Sequence, residues 1–531
     1  MPHQLHLRYL DLSRNVKLKT LPNSITKLYN LQSLIMVGCS TWKEWPICFY
    51  KLVNLRLLDI RECPELTYMP LGIGQLTNLR DLTHFKVGTS SSMGNQFGGE
   101  LKDIKSLVNL RGELDIRIFK HPVSYTENVW QGGYWEHIKN LKVLAINFNV
   151  KARPSDNEAL IAKLQPSRNL MQLKLENYNG SEIPRWGRAE HDWAINLPNL
   201  VKIELEGIER LHGIPSLSNL KHLKFLSLFM SNSLEYMETR SRSKADLPFF
   251  PSLEHLSIWC LKRLKGWWGA DSSRGGPHWQ PPFPRLSTLI INSCPELTSF
   301  PPCPSLELLE VINSNKSLRI FPGEGPQNLD RLKLRVREID SVGYLTTLPA
   351  YRLTHIMIKA DQELRRLSEI GEVLKKSSSL QSLNINRCTR LTSVSGALEH
   401  LTALESLSLI NIPAEVFDDE MPWKSLCHNL RSLELEFLNT IQILPTGMKH
   451  LTALQNISII RCNSLKVEIS RFDETKKTSQ QRGFRSDAEA HCKVAGEVVD
   501  HLFKVPTLQY SVPDLLGPQI SDLVICMWIT P

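Results

Sequence analysis

Leu7, Leu10, Leu12 and Asn15 stand at the spacing L-x-x-L-x-L-x-x-N, and the chain keeps returning to it. Leu31, Leu34, Met36 and Cys39 repeat the spacing, and so do Leu55, Leu58, Ile60 and Cys63. It recurs at Leu286, Leu289, Ile291 and Cys294, at Leu380, Leu383, Ile385 and Cys388, and at Leu454, Ile457, Ile459 and Cys462. Weaker copies begin at Leu79, Leu141, Leu170, Leu200, Leu223, Leu253, Leu306, Leu329, Leu353, Leu404 and Leu430. L-x-L alternates with period two, which makes it a strand with one buried face. The first leucine and the asparagine or cysteine fall where the chain turns away from that strand. A buried leucine contributes about 1.5–3 kcal/mol. One unit has too few of them to offset its own ordering entropy, so units are stable only as stacked neighbours.

About 17 or 18 such units, spaced by about 20 to 33 residues, match the leucine-rich repeat. The expected architecture is an α/β solenoid, a horseshoe with a parallel sheet on its concave face and an irregular, short-helical convex side. Repeats should fill residues 1–465, with an insertion near 88–106, read as flexible from its glycines, and an aromatic loop at 266–284. Residues 466–531 carry no repeat and are expected to form a cap or a disordered extension.

Near-duplicate stretches such as LDIRECPELTYMP (Leu58 to Pro70) and LIINSCPELTSFP (Leu289 to Pro301) are then two turns of one spring. The cysteines Cys39, Cys63, Cys294, Cys388 and Cys462 share one structural position, which needs a small group able to meet backbone amides. Strung along a solenoid, they do not converge as metal ligands must. The chain has 11 cysteines and no C-x-x-C pair, which fits reduced thiols. At 531 residues and a net charge of +9, the charge is mild and argues for solubility rather than nucleic acid binding. No run of 18 or more apolar residues spans a membrane, and MPHQLHLRYLDLSRN does not read as a secretory signal.

The unit LKTLPNSITKLYNLQSL (Leu18 to Leu34) continues from its strand with L-x-x-L-P-x-x-I-x-x-L. It resembles the leucine-rich-repeat region of plant intracellular immune receptors of the coiled-coil nucleotide-binding class. GIGQLTNLRDLTHFKVG (Gly72 to Gly88) with GGELKDIKSLVNLRGELDIRI (Gly98 to Ile118) is similar to a break in that family's repeats. KLQPSRNLMQLKLENYNGSEIPRW (Lys163 to Trp186) and FFPSLEHLSIWCLKRLKGWW (Phe249 to Trp268) resemble it too. The resemblance implies a defence role through protein contacts: effector recognition and autoinhibition. The implied partners are a pathogen effector, a guarded host protein or a nucleotide-binding domain. It also implies a place in the cytoplasm, in the nucleus or at a membrane through partners. The family's phosphate loop, G-x-x-x-x-G-K-[ST], is absent, so nucleotide binding is not carried over and no cofactor is expected. The first repeat begins without a polar cap, which points to a fragment. Alternatives are a substrate-recruiting adaptor of a ubiquitin ligase, a truncated product without function, and a receptor-kinase ectodomain, which LHGIP (Leu211 to Pro215) faintly echoes.

No H-E-x-x-H, G-x-S-x-G or kinase signature is present, and a non-enzyme is expected. Recognition should use the x positions of L-x-x-L-x-L-x, which face solvent on the sheet. Lys174, Glu176, Glu204 and Glu206 form a mainly acidic zone; Phe225, Phe229 and Trp259 an aromatic zone; Arg331, Lys333, Arg335, His355 and Lys359 a basic zone. Aromatics and arginine are enriched at interface hot spots. Trp267, Trp268 and Trp279, in GWWGADSSRGGPHWQPPFP, either cover the solenoid edge or protrude as a binding loop.

Overall fold

The structure, a computed structural model, describes residues 6–90, 96–120, 138–181, 186, 192–211, 214, 217, 220–238, 250–268, 283–299, 303–315, 318, 334–348, 350–462, 464–465, 467–469, 492–494, 508–510 and 524–529. They fall into two compact units, Met1–Ser305 and Leu306–Pro531.

In the first unit, Tyr9–Asp11, Ser33–Ile35, Leu57–Asp59 and Asp81–Leu82 pair in parallel, one strand per repeat. A second parallel sheet runs through His84–Val87, Arg111–Ile118, Asn140–Asn147, Gln172–Glu176, Lys202–Glu206, Phe225–Phe229, His255–Trp259 and Thr288–Asn292. The repeat leucines point to one side and are buried, as at Leu31, Leu34, Leu173, Leu226 and Leu289. The returning segments are short because little chain is left between strands. Asn23–Lys27 is a single 3-10 turn after Pro22, with Ile25 buried. The longer interval between Leu141 and Leu170 accommodates an α-helix, Pro154–Lys163, which buries Leu160 and Ile161.

The two sheets part at Thr83. Its hydroxyl donates to Asp59 Oδ1 at 3.1 Å and accepts from the Ile60 amide at 3.2 Å, positions where a regular ladder would continue. Just beyond, Lys86 is buried and donates from Nζ to the Cys63 carbonyl at 2.5 Å. Burial pulls its pKa down to about 8. Two glycines of the expected flexible insertion, Gly98 and Gly99, are packing glycines, and Gly94 lies outside the described residues. Gly99 donates to the Met69 carbonyl at 2.8 Å, and a Cβ on Gly98 would lie 2.0 Å from that same oxygen. The 3-10 helix Leu101–Ser106 then buries Leu101 and Ile104, so this end of the insertion is part of the repeat.

In the second unit, Leu308–Ile312, Leu334–Ile339, Leu353–Lys359, Ser382–Asn386, Ser406–Ile410, Ser432–Glu436 and Asn456–Ile460 are parallel neighbours in that order. One repeat is shifted from its expected register. Val336 pairs with Leu309 and Ile356, and Val336 and Ile339 are buried. Leu334, also buried, pairs with Leu353 and takes the place of the first leucine, so Val336 and Ile339 serve as this repeat's strand core residues, with a bulge between them. After the repeats, Val524–Ile529 pairs antiparallel with Asn456–Ile460, and Val467–Ile469 with Cys492–Val494.

Two ladders of hydrogen bonds tie repeat to repeat. In most repeats the residue ahead of the asparagine-or-cysteine position is left-handed, among them Arg14 (φ 60°), Gly38 (73°), Asn177 (59°), Met230 (56°), Ala360 (59°), Arg387 (56°) and Phe437 (57°). Its amide donates into the next repeat: Gly38 to Arg61 O at 3.0 Å, Asn177 to Glu206 O at 2.7 Å, Met230 to Trp259 O at 2.9 Å, Arg387 to Ile410 O at 2.9 Å. The second ladder uses the asparagine just before the first leucine. Asn54, Asn78, Asn109, Asn169 and Asn199 each donate from Nδ2 to a carbonyl of the preceding repeat, at 2.7–3.0 Å.

Two predictions follow from these positions. Because a left-handed L-residue costs about 1–2 kcal/mol, Arg387→Gly should stabilise the protein by about 0.5–1 kcal/mol after its own chain-entropy cost, and Arg387→Val should destabilise it. Urea midpoints measure both; a glycine variant no more stable than the parent would contradict the assignment. For Lys86, the folded pKa of about 8 lies below the ordinary 10.5. The unfolded chain therefore binds the proton more tightly, and the burial penalty is full below pH 8 and fades toward pH 10.5. Lys86→Met should be more stable than the parent at pH 7 by about 1–3 kcal/mol, the upper end following from the pKa difference, and the two urea midpoints should converge by pH 10. A gap that does not change with pH would rule out a charged Lys86 as its source.

Candidate protein-binding surface

Side chains on the solvent face of the sheet are set by strand register, so residues from neighbouring repeats stand in rows. Lys174, Glu204 and Ser227 form one row; Glu176, Glu206, Phe229 and Trp259 form another; Lys202, Phe225 and His255 a third. All of these are half-buried, while the residues flanking Ser227, Leu226 and Leu228, are buried.

The acidic zone is more nearly neutral than its composition. Lys174 Nζ contacts the Glu176 carboxylate and lies 3.6 Å from Glu206, and Lys202 pairs with Glu204 at 3.0 Å. Asn147 Nδ2 also donates to Glu176. The basic zone is changed more. Arg331 and Lys333 lie outside the described residues. Arg335 is exposed and stands beside His355 in register. His355 Nδ1 meets the Thr354 hydroxyl at 3.1 Å. Lys359 pairs with Glu338 at 2.7 Å, and Arg337 approaches the buried Glu310 at 3.5 Å. Desolvation raises the Glu310 pKa, which weakens its value as a counter-charge.

The aromatic zone is the best organised. Phe225 stacks on His255 with centroids 4.5 Å apart and planes 4° from parallel. Phe229 and Trp259 lie 6.3 Å apart, and Trp259 Nε1 donates to Ser257 Oγ at 2.6 Å. The two pairs sit at opposite ends of the same two strands, with Ser227 beside Ser257 between them. His255 belongs to this surface and was missing from the residues picked out by sequence; its place before a strand leucine is the signal that would have found it.

The tryptophan loop resolves differently. Trp267 is buried, donates from Nε1 to Ser299 O at 3.0 Å and meets Phe283 edge-on at 5.6 Å. Phe283 in turn stacks on Phe250. Trp267 is therefore a core residue and not a protruding contact. Trp268 continues the short strand Gly266–Trp268, paired with Tyr236–Glu238, and Trp279 lies outside the described residues.

The repeated cysteines meet the backbone amides expected of that position, Asn15 for Cys39 and Leu261 for Cys294, and they donate as well. Cys39 Sγ donates to Leu12 O and Cys63 Sγ to Met36 O, each at 3.1 Å and each to the preceding repeat. Burial pushes the Cys294 and Cys388 thiols up to about 11, which keeps them protonated donors. Cys294 and Cys303 are both buried. Among the described residues, no helix is long and apolar enough to cross a membrane.

A family described as the leucine-rich repeat region matches residues 2–268. The chain belongs to the leucine-rich repeat family. Its relatives include disease resistance RPP13-like protein 4 of Arabidopsis thaliana, 27% identical over 301 residues, which are 56% of this chain and 29% of that protein. Disease resistance protein RGA2 of Solanum bulbocastanum is 30% identical over 276 residues, 49% of this chain and 25% of the relative. A putative disease resistance RPP13-like protein 1 of Arabidopsis thaliana is 28% identical over 73% of this chain and 36% of its own length. This leucine-rich repeat chain thus spans about a quarter to a third of those relatives. A leucine-rich repeat protein of Leptospira interrogans, 19% identical, aligns over 77% of the chain and 92% of its own with a TM-score of 0.39.

The two tryptophans separate core from surface in one experiment. Trp267→Ala should cost about 3–5 kcal/mol, as truncation of a buried aromatic does. Trp259→Ala should stay within about 1 kcal/mol. Equal losses in thermal unfolding would mean that Trp259 is structural.

Proposed function

We propose that this leucine-rich repeat chain is the protein-recognition module of a plant disease resistance protein, with the solvent face of the first unit's sheet as its contact surface. The observation that carries the reading is the in-register juxtaposition of the Phe225–His255 stack with Phe229 and Trp259, beside Glu206. Half-buried aromatics on a rigid sheet lose little side-chain entropy on binding and supply large contact areas, the properties of hot-spot residues. The paired charges around them set orientation more than affinity.

The relatives' names support a defence role, and the family resemblance supplies the partner classes: a pathogen effector, a guarded host protein, or a nucleotide-binding domain held inactive. The nucleotide-binding domain is the partner a test can supply directly, as a separate chain from a related receptor. Phe229→Ala combined with Trp259→Ala should weaken its capture by at least about 10-fold, since losing an aromatic hot spot costs about 2 kcal/mol, while Tm moves by no more than about 3 °C. Affinity equal to that of the parent chain would exclude this face as the interface with that domain.

A further inference from the structure

Away from the sheet face, the second unit holds a cleft of about 500 Å³ bordered by Arg365, Arg390, Leu391, Pro413 and Glu415. Three successive repeats contribute to it, just after their strands: Arg365 follows the turn at Asp361, Arg390 and Leu391 follow Cys388, and Pro413 and Glu415 follow Ile412. The backbone that carries the arginines is locked between repeats. Thr392 donates to Arg365 O from its amide at 2.7 Å and from its hydroxyl at 3.0 Å. Thr389 Oγ donates to Gln362 Oε1 at 3.2 Å, and Arg366 forms a parallel bridge with Ser393. The two arginines rise from adjacent rungs of the solenoid, whose spacing is about 5 Å, with Arg390 two residues before the Thr392 that meets Arg365.

On the sheet face, most charges answer one another. Here they do not. Among the described residues, neither the Arg365 nor the Arg390 guanidinium makes an ion pair or donates a hydrogen bond, and the Glu415 carboxylate accepts none. Guanidinium forks on neighbouring rungs match the geometry of a carboxylate or phosphate. The cleft is also far larger than an inorganic anion requires and falls within the size range of small-molecule sites. Pro413, half-buried, gives it an apolar border, with Leu391 buried beneath. Glu415 opposes net negative charge, so an anion must gain from that apolar contact as well as from the arginines.

We propose that this cleft binds an organic oxyanion, a phosphate monoester or carboxylate attached to an apolar body, with the oxyanion between Arg365 and Arg390 and the apolar body against Pro413. The same chemistry arrives in two ways: as a free small molecule, or as a phosphorylated aromatic side chain on a protein. The proposal is independent of the sheet-face reading, because none of its residues lies on that face.

Phenyl phosphate, titrated calorimetrically into the full chain, tests it. Saturable binding is expected, with inorganic phosphate at least about 10-fold weaker for want of the apolar contact. Arg365→Gln with Arg390→Gln should weaken phenyl phosphate at least about 10-fold, and Glu415→Gln should tighten it by a few-fold. Unchanged thermal unfolding verifies that the variants are folded. A short phosphotyrosine peptide binding more than about 10-fold tighter than phenyl phosphate assigns the site to a protein-borne group; equal affinity assigns it to a free anion, and both support the site. No saturable binding of phenyl phosphate, or binding indifferent to the double arginine change, overturns the proposal.

Discussion

The structure depends on one hydrogen bond made again and again: the amide of a left-handed residue at the end of most strands donating to a carbonyl of the next repeat. A parallel sheet alone would fix the strands but leave the chain free to leave them at any angle. The left-handed residue turns the backbone sharply toward the core side, and its lateral bond holds that turn to the neighbouring one. The cost of the conformation, about 1–2 kcal/mol per L-residue, is offset by a bond worth about 0.5–1.5 kcal/mol and by the leucines it directs inward. At Cys39 and Cys63 the thiol at the following position then closes onto the preceding repeat, so those turns are tied on both sides.

Much of this was legible in the sequence. The leucine spacing gave the strand positions and the buried face directly, because a period of two has no other stable outcome at that length. The left-handed row was not legible, since Arg14, Met230, Ala360 and Phe437 share nothing chemically that marks such a backbone. Context imposes it. The register of Leu334–Ile339 was missed for a related reason: Leu332, Leu334, Val336 and Ile339 offer two hydrophobic frames, and pairing with Leu309 and Ile356 selects the later one. The asparagine ladder could have been read, because the residue before the first leucine is Asn in repeat after repeat.

The surface was legible in outline and not in balance. Alternation places Lys174, Phe225 and Lys359 on the solvent face without any structure. What it cannot supply is which charges are already engaged. Lys359 with Glu338, and Lys202 with Glu204, pair within the surface, which leaves the aromatic rows as the more available chemistry. Trp267 is a choice the sequence left open: an indole among glycines and prolines could cover an edge or protrude, and Phe283 and the Ser299 carbonyl claim it.

The ladders also bear on how such a chain changes over generations. Within each unit, donors and acceptors sit at equivalent positions in successive repeats, so removing or copying one whole repeat leaves every donor facing an acceptor of the same kind. A loss that begins in one repeat and ends at a different position in the next leaves unmatched amides and carbonyls at the seam, together with leucines facing water. Copying errors that respect the repeat boundary are therefore tolerated and the others purged. Repeat number and surface chemistry are free to drift quickly, while the spacing that carries them stays still.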